Sequence, residues 1–204
     1  MSRTTRSSPL ALTVLSLLHY RPLHPYGVQQ LVRRWGKDEV VNVAQRTTLY
    51  RTIERLEKDG LIRTAEVNRN HRYPERTIYE VTDLGRKTAR EWMLTMLAVP
   101  KAEYPEFPAA LSNLLLLDRA EMVEALSARR DALQKLTDEA ARSVKSAKRV
   151  GLPRITSLET EYSLAMHRAE LKWVGQLVRD LESGSLDWDD EELRAIAEHL
   201  TTAG

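Results

Sequence analysis

The spacing of apolar residues changes character after Leu56, and that change constrains the fold more than any other feature of the chain. Up to Leu56 the apolar residues recur every three or four positions, and in the segments 61–67 and 77–81 they alternate. Leu10, Val14, Leu17 and Leu18, with Leu12 and Leu15 on a flank, predict a mostly buried helix over residues 9–19 with a proline in its first turn. After a short proline-rich turn, Pro25 opens a second helix whose stripe is Val28, Leu31, Val32 and Trp35, and Gly36 can end it. Asn42 is the expected N-cap of a third helix, with Gln45 three residues on as in a capping box. Leu49, Ile53 and Leu56 lie on one side of that helix, which stops at Gly60. Residues 61–67 and 77–81 then read as two strands of a hairpin. Thr82 or Asp83 caps a fourth helix, 84–97, with Ala89, Trp92, Met93 and Met96 at its apolar positions.

Three helices followed by a two-stranded hairpin is the element order of a winged helix-turn-helix. Function is suggested by what the third helix and the hairpin carry on their outer sides. At 100° per residue, the face opposite Leu49, Ile53 and Leu56 presents Thr47, Arg51 and Lys58, flanked by Thr48, Glu54 and Arg55. The segment Gln45, Arg46, Thr47, Thr48, Tyr50, Arg51 is a stock of side chains suited to a DNA major groove. Glutamine pairs with adenine, arginine with guanine or phosphate, and threonine methyls meet thymine. Tyr50, at the side of the helix, can offer its hydroxyl to a phosphate. The hairpin tip carries Arg69, His71, Arg72 and Arg76, where folding needs no charge but a phosphate ridge or minor groove attracts it. A salt-bridged, solvated helix face and an ordinary polar loop are the plainer readings of the same residues.

Charge divides along the chain in the same sense. Before Val99 there are 17 Lys and Arg against 10 Asp and Glu, and from Val99 on there are 14 against 19. A cationic half joined to an acidic one fits a nucleic-acid-binding domain followed by a partner domain.

The second half reads as helical. Pro100, Pro105 and Pro108 mark residues 99–108 as a linker, and a short apolar helix is expected over 109–117. Asp118 starts a long helix, 119–149, whose Met122, Val123, Leu126, Leu133, Leu136, Ala140, Val144 and Ala147 follow near-heptad spacing, and Gly151-Leu152-Pro153 breaks it. A last long helix, 157–182, has two apolar rows: Leu164, Leu171, Val174, Val178 and Leu181, and on another side Tyr162, Met166, Ala169, Trp173 and Leu177. A helix apolar on two faces needs two partners, and a second subunit is the expected second one. Trp92, Tyr104, Phe107, Tyr162, Met166 and Trp173 are candidates for an aromatic ligand pocket at the dimer interface, although Trp and Met at helical spacing equally serve a plain core. The expected layout is a DNA-binding domain, 1–98; a linker, 99–108; a helical dimerisation domain, 109–183; and an acidic tail, 184–204, with room for a short helix.

Several classes are disfavoured. The chain has no cysteine, so disulfides, thiolate metal sites and a cysteine nucleophile are excluded. Its five histidines form no i, i+4 pair, no phosphate-binding glycine loop is present, and the acidic runs lie within single segments, so neither cofactor, metal nor enzymatic chemistry is expected. The longest apolar run, 10–18, contains Thr13 and Ser16 and falls short of the roughly 20 residues that span a bilayer. A cytoplasmic protein without membrane contact is the expectation.

As a set, His24-Pro25-Tyr26-Gly27, Thr48-Leu49-Tyr50-Arg51, Leu56-Glu57-Lys58-Asp59-Gly60-Leu61-Ile62 and the run from Arg76 to Arg86 resemble the PadR family of bacterial transcriptional regulators. The resemblance covers about Leu10 to Trp92, and the region from Leu111 to Trp173 is similar to the longer helical C-terminal domain of some members. It implies a mainly α fold, with an N-terminal winged helix-turn-helix bearing a two-stranded wing and a C-terminal antiparallel helical dimerisation domain. It further implies a homodimer on double-stranded DNA at an inverted repeat, usually repressing, and in several members released by a small aromatic or amphipathic compound. Tyr50 matches the tyrosine of the family's recognition helix, whereas Arg51 stands where many members have proline or a small residue. The competing expectation is a winged-helix protein-interaction module that does not read DNA.

Overall fold

The computed structural model describes residues 7–37, 41, 45–68, 76–189 and 191. The chain divides into two compact units, with the boundary between Glu103 and Tyr104. The first holds α1 (Pro9–Tyr20), α2 (Pro25–Arg34), α3 (Arg46–Lys58), β1 (Ile62–Asn68), β2 (Arg76–Val81) and α4 (Asp83–Ala98). The second holds α5 (Glu106–Leu111), α6 (Arg119–Arg149) and α7 (Leu158–Ser183), with 3-10 turns at Leu114–Leu116 and Arg154–Thr156. No helix among the described residues is long and apolar enough to cross a membrane.

Local chemistry explains where the elements of the first unit begin and end. The Ser8 hydroxyl accepts from the Ala11 N–H at 3.2 Å and caps α1, with Pro9 at the first helical position. His24 caps α2 through Nδ1, which accepts from the Tyr26 N–H at 3.1 Å. Helix α3 ends when Gly60 takes φ +70°: the Gly60 N–H bonds to the Glu57 carbonyl and the Leu61 N–H to the Leu56 carbonyl, both at 2.9 Å. This left-handed terminus satisfies two carbonyls of the last turn and brings Leu56 and Leu61 into the same core.

That core gathers Ala11, Val14, Leu15 and Leu18 of α1, Val28 and Val32 of α2, and Leu49, Ile53 and Leu56 of α3 against Leu61, Ile62 and Val81. Each fully buried leucine, isoleucine or valine contributes about 1.5–3 kcal/mol. The hairpin pairs Ile62 with Val81, Arg63 with Glu80 and Thr64 with Tyr79, then shifts register so that Glu66 faces Ile78. Ala65 is the extra residue of a bulge, which bends and twists the outer half of the wing. The turn between α1 and α2 also joins the sheet, for Leu23 and Tyr79 exchange two backbone hydrogen bonds of 3.0 Å each.

Some expectations change. Asn42, the expected N-cap, lies outside the described residues. Helix α3 begins at Arg46 with Gln45 as its N-cap residue, and no side chain closes a capping box. Trp35 is half-exposed rather than part of the α2 stripe, because the helix ends at Arg34 and leaves Trp35 on its C-cap. Met93 and Met96 are exposed on α4. The short helix expected from residue 109 starts at Glu106, since Pro108 falls within its first turn, where a missing N–H is harmless. Leu114–Leu116 winds into a separate 3-10 turn.

The second unit is a hairpin of two long helices. Asp118 and Glu121 form a reciprocal capping box at the start of α6, and Gly151, at φ +74°, closes its other end. The core between α6 and α7 consists of Met122, Leu126, Leu133, Val174, Val178 and Leu181. Beyond α7 the chain folds back, and Arg119 pairs with Asp187 while its guanidinium lies 5.2 Å from the centre of the Trp188 ring. One apolar row of α7 is therefore used inside the unit. Of the other row, Tyr162, Met166 and Trp173 are exposed.

Candidate nucleic-acid interface

Helix α3 is held by its inner face and presents its outer one. Leu49, Ile53 and Leu56 are at most 2% exposed, whereas Thr47, Thr48, Tyr50, Arg51, Glu54, Arg55 and Lys58 are exposed. Thr52 is buried and donates its hydroxyl to the Thr48 carbonyl at 2.8 Å, so it makes no demand on solvent. At the helix start the Thr48 hydroxyl donates to Gln45 Oε1 at 3.2 Å, and Gln45 is exposed. The side chain of Arg46 lies outside the described residues.

A salt-bridged face was the plainer reading of this surface. Among the described residues, the first unit's ion pair is Arg63 with Glu80 on the wing, and Arg51, Glu54, Arg55 and Lys58 form none. The outer face of α3 is thus a row of charges not neutralised by one another.

The wing is tied to α3 through Glu57. Its Oε1 accepts from the Thr64 hydroxyl of β1 at 2.8 Å. The Tyr79 phenol of β2 is raised above the ordinary tyrosine range, first by burial and then by the charges of Glu57 and Glu54 and by Tyr50. The same carboxylate therefore touches one strand and acts on the other. Across the wing, Arg63 Nε lies 2.6 Å from Glu80 Oε1, and the two residues are direct partners in the register. Arg69, His71 and Arg72 of the tip lie outside the described residues. Arg76 opens β2 opposite Asn68, and its side chain lies outside them too.

Two of the aromatic-pocket candidates in the second unit are in contact. Phe107 and Trp173 meet edge to face at 6.2 Å, and the Arg129 guanidinium sits 3.5 Å over the Phe107 ring while paired with Glu170. These residues border an open cavity of about 380 Å³. Tyr104 is 96% exposed, Tyr162 and Met166 are exposed on α7, and Trp92 packs against the core of the first unit. A larger groove, about 630 Å³, lies between α1 and α4 over Leu15, Ala89 and Met93, with His19, Arg86 and Arg90 along its rim. Arg86 Nη1 lies 2.7 Å from His19 Nδ1. Sequence reading missed this groove because its walls are some 70 residues apart in the chain; the one local sign is the cationic repeat Arg86, Lys87, Arg90 beside the apolar Ala89 and Met93.

Three packed helices, a bulged two-stranded wing and a third helix with an outward polar face define a winged helix-turn-helix of the transcription-regulator class. Residues 14–91 match the PadR-like family of transcriptional regulators. That family is one of regulators rather than enzymes. Among curated protein sequences none matches the chain. Solved structures share the fold across both units. PadR of Bacillus subtilis in complex with operator DNA superposes with a TM-score of 0.69 at 16% identity, covering 85% of this chain and 99% of that one. The same protein in complex with p-coumaric acid gives 0.65 at 14% identity, covering 87% and 99%. The Vibrio cholerae virulence activator AphA gives 0.64 at 18% identity, covering 85% and 98%.

Proposed function

We propose that this protein is a sequence-specific DNA-binding regulator that acts as a homodimer on an inverted repeat, represses transcription there, and is released by a small aromatic or amphipathic compound. The observation that carries the DNA reading is the outer face of α3, where Thr47, Arg51 and Lys58 are exposed and the two cations have no ion-pair partner among the described residues. Gln45, Arg46, Thr47, Thr48, Tyr50 and Arg51 enter the major groove in this account, and Arg69, His71, Arg72 and Arg76 of the wing meet phosphates or the minor groove. The complex of B. subtilis PadR with operator DNA, which shares the fold, supports the reading.

Dimerisation is supported by the exposed Tyr162 and Met166 of α7 and by Trp173, which stays half-exposed although its ring meets Phe107. Effector release is supported by the p-coumaric acid complex of B. subtilis PadR and by the groove between α1 and α4, whose apolar floor and cationic rim suit an amphipathic anion. The test is DNA affinity as a function of salt for the wild type and Arg51→Ala. The wild type binds a specific duplex with a steep salt dependence. Arg51→Ala weakens that complex by about 1–3 kcal/mol and narrows the gap to non-specific DNA. Equal affinities for the two proteins would remove α3 from the interface.

A further inference from the structure

We propose that Glu54 is a base-reading residue that selects a cytosine in each half-site and rejects guanine and thymine at that position. The inference rests on the DNA reading of α3 and adds a carboxylate to a face otherwise described by its donors.

At 100° and 1.5 Å per residue, Glu54 lies about 20° around the helix from Thr47 and about 60° from Arg51, and about 4.5 Å beyond Arg51 along the axis. One base-pair step is 3.4 Å. A helix laid along the groove therefore sets Arg51 and Glu54 over neighbouring base pairs. The carboxylate is exposed, and it stands at the helical spacings from Arg51 and Lys58 that favour ion pairs. It forms neither among the described residues, so its charge is not cancelled within its own helix.

An ionised carboxylate only accepts hydrogen bonds, and phosphates repel it. In the major groove, guanine and thymine turn acceptors toward the protein, while cytosine N4 and adenine N6 donate. Adenine sets the N7 acceptor beside its donor, which faces the second carboxylate oxygen unfavourably. Cytosine carries C5–H at that place, which leaves the paired guanine O6 as the one acceptor beside its donor. Glu54 is thus matched to cytosine, and its presence on the reading face imposes a cost on every other base.

The experiment measures binding of the full chain and its Glu54→Gln and Glu54→Ala variants, at one salt concentration, to a duplex selected by the wild type and to duplexes altered one base pair at a time. The expected result is one C·G position in each half-site where alteration costs the wild type tenfold or more, on the order of one good base contact. Glu54→Gln moves the preference there to adenine, and Glu54→Ala flattens it while tightening binding to unrelated DNA. Identical base preferences in all three proteins would overturn the role of Glu54 and leave the DNA reading standing. A wild type that discriminates no sequence would overturn both.

Discussion

At Gly85, in the first turn of α4, a Cβ would stand 2.0 Å from the Leu61 carbonyl oxygen and 2.9 Å from its carbon. The obstruction is backbone, which a rotamer change cannot relieve. Thr82, three residues earlier, caps α4 by accepting the Gly85 N–H at 3.0 Å and donates its hydroxyl to the Gly60 carbonyl at 2.7 Å. The Thr82–Gly85 pair thereby fastens α4 to the turn that ends α3. Gly85→Ala is expected to destabilise the protein by about 3 kcal/mol, the upper part of the range for overpacking. A urea midpoint within error of the wild type would contradict that packing. The Leu61 contact is not local to the glycine, so the sequence shows a helix-start pattern but not the reason for the glycine itself. Glu54 is legible in the opposite way: its place on the outer face follows from the helical wheel, while its lack of an ion pair needs coordinates.

Among the elements, the helices were the most readable, because Pro9, Pro25, Gly60, Asp118 and Gly151 mark their ends chemically. The sheet was less so. The Leu23–Tyr79 pairing and the bulge at Ala65 depend on backbone partners far along the chain, which alternation cannot reveal. Glu57 couples α3 to the wing through the Thr64 hydroxyl, and its charge also acts on Tyr79. Its phenol is raised by burial first and Glu57 second, so the folded protein holds the phenolic proton more firmly than the unfolded chain does. The contribution is fully present below the unfolded tyrosine value, about 10, and is lost as pH rises through the higher folded value. The stability difference between wild type and Tyr79→Phe, from urea midpoints, should be constant below about pH 10 and shift against the wild type above it. Parallel curves over the whole range would show that the Tyr79 phenol is not raised in the folded protein.

For the whole molecule, the division of charge and the two apolar rows of α7 carry the account. The cationic half holds the winged helix, and the acidic half holds the helical hairpin whose outer Tyr162, Met166 and Trp173 are exposed. Within their own units, Phe107 and Trp173 meet and Trp92 packs against the core of the winged helix, contacts that composition alone does not indicate. The central claim, that two copies of α3 read DNA together, is tested most directly by selecting duplexes from a random pool with the full-length protein. The account predicts an enriched inverted repeat whose halves lie one helical turn, about 10 base pairs, or a multiple of it apart. Enrichment of a single asymmetric half-site, or of no sequence, would contradict it.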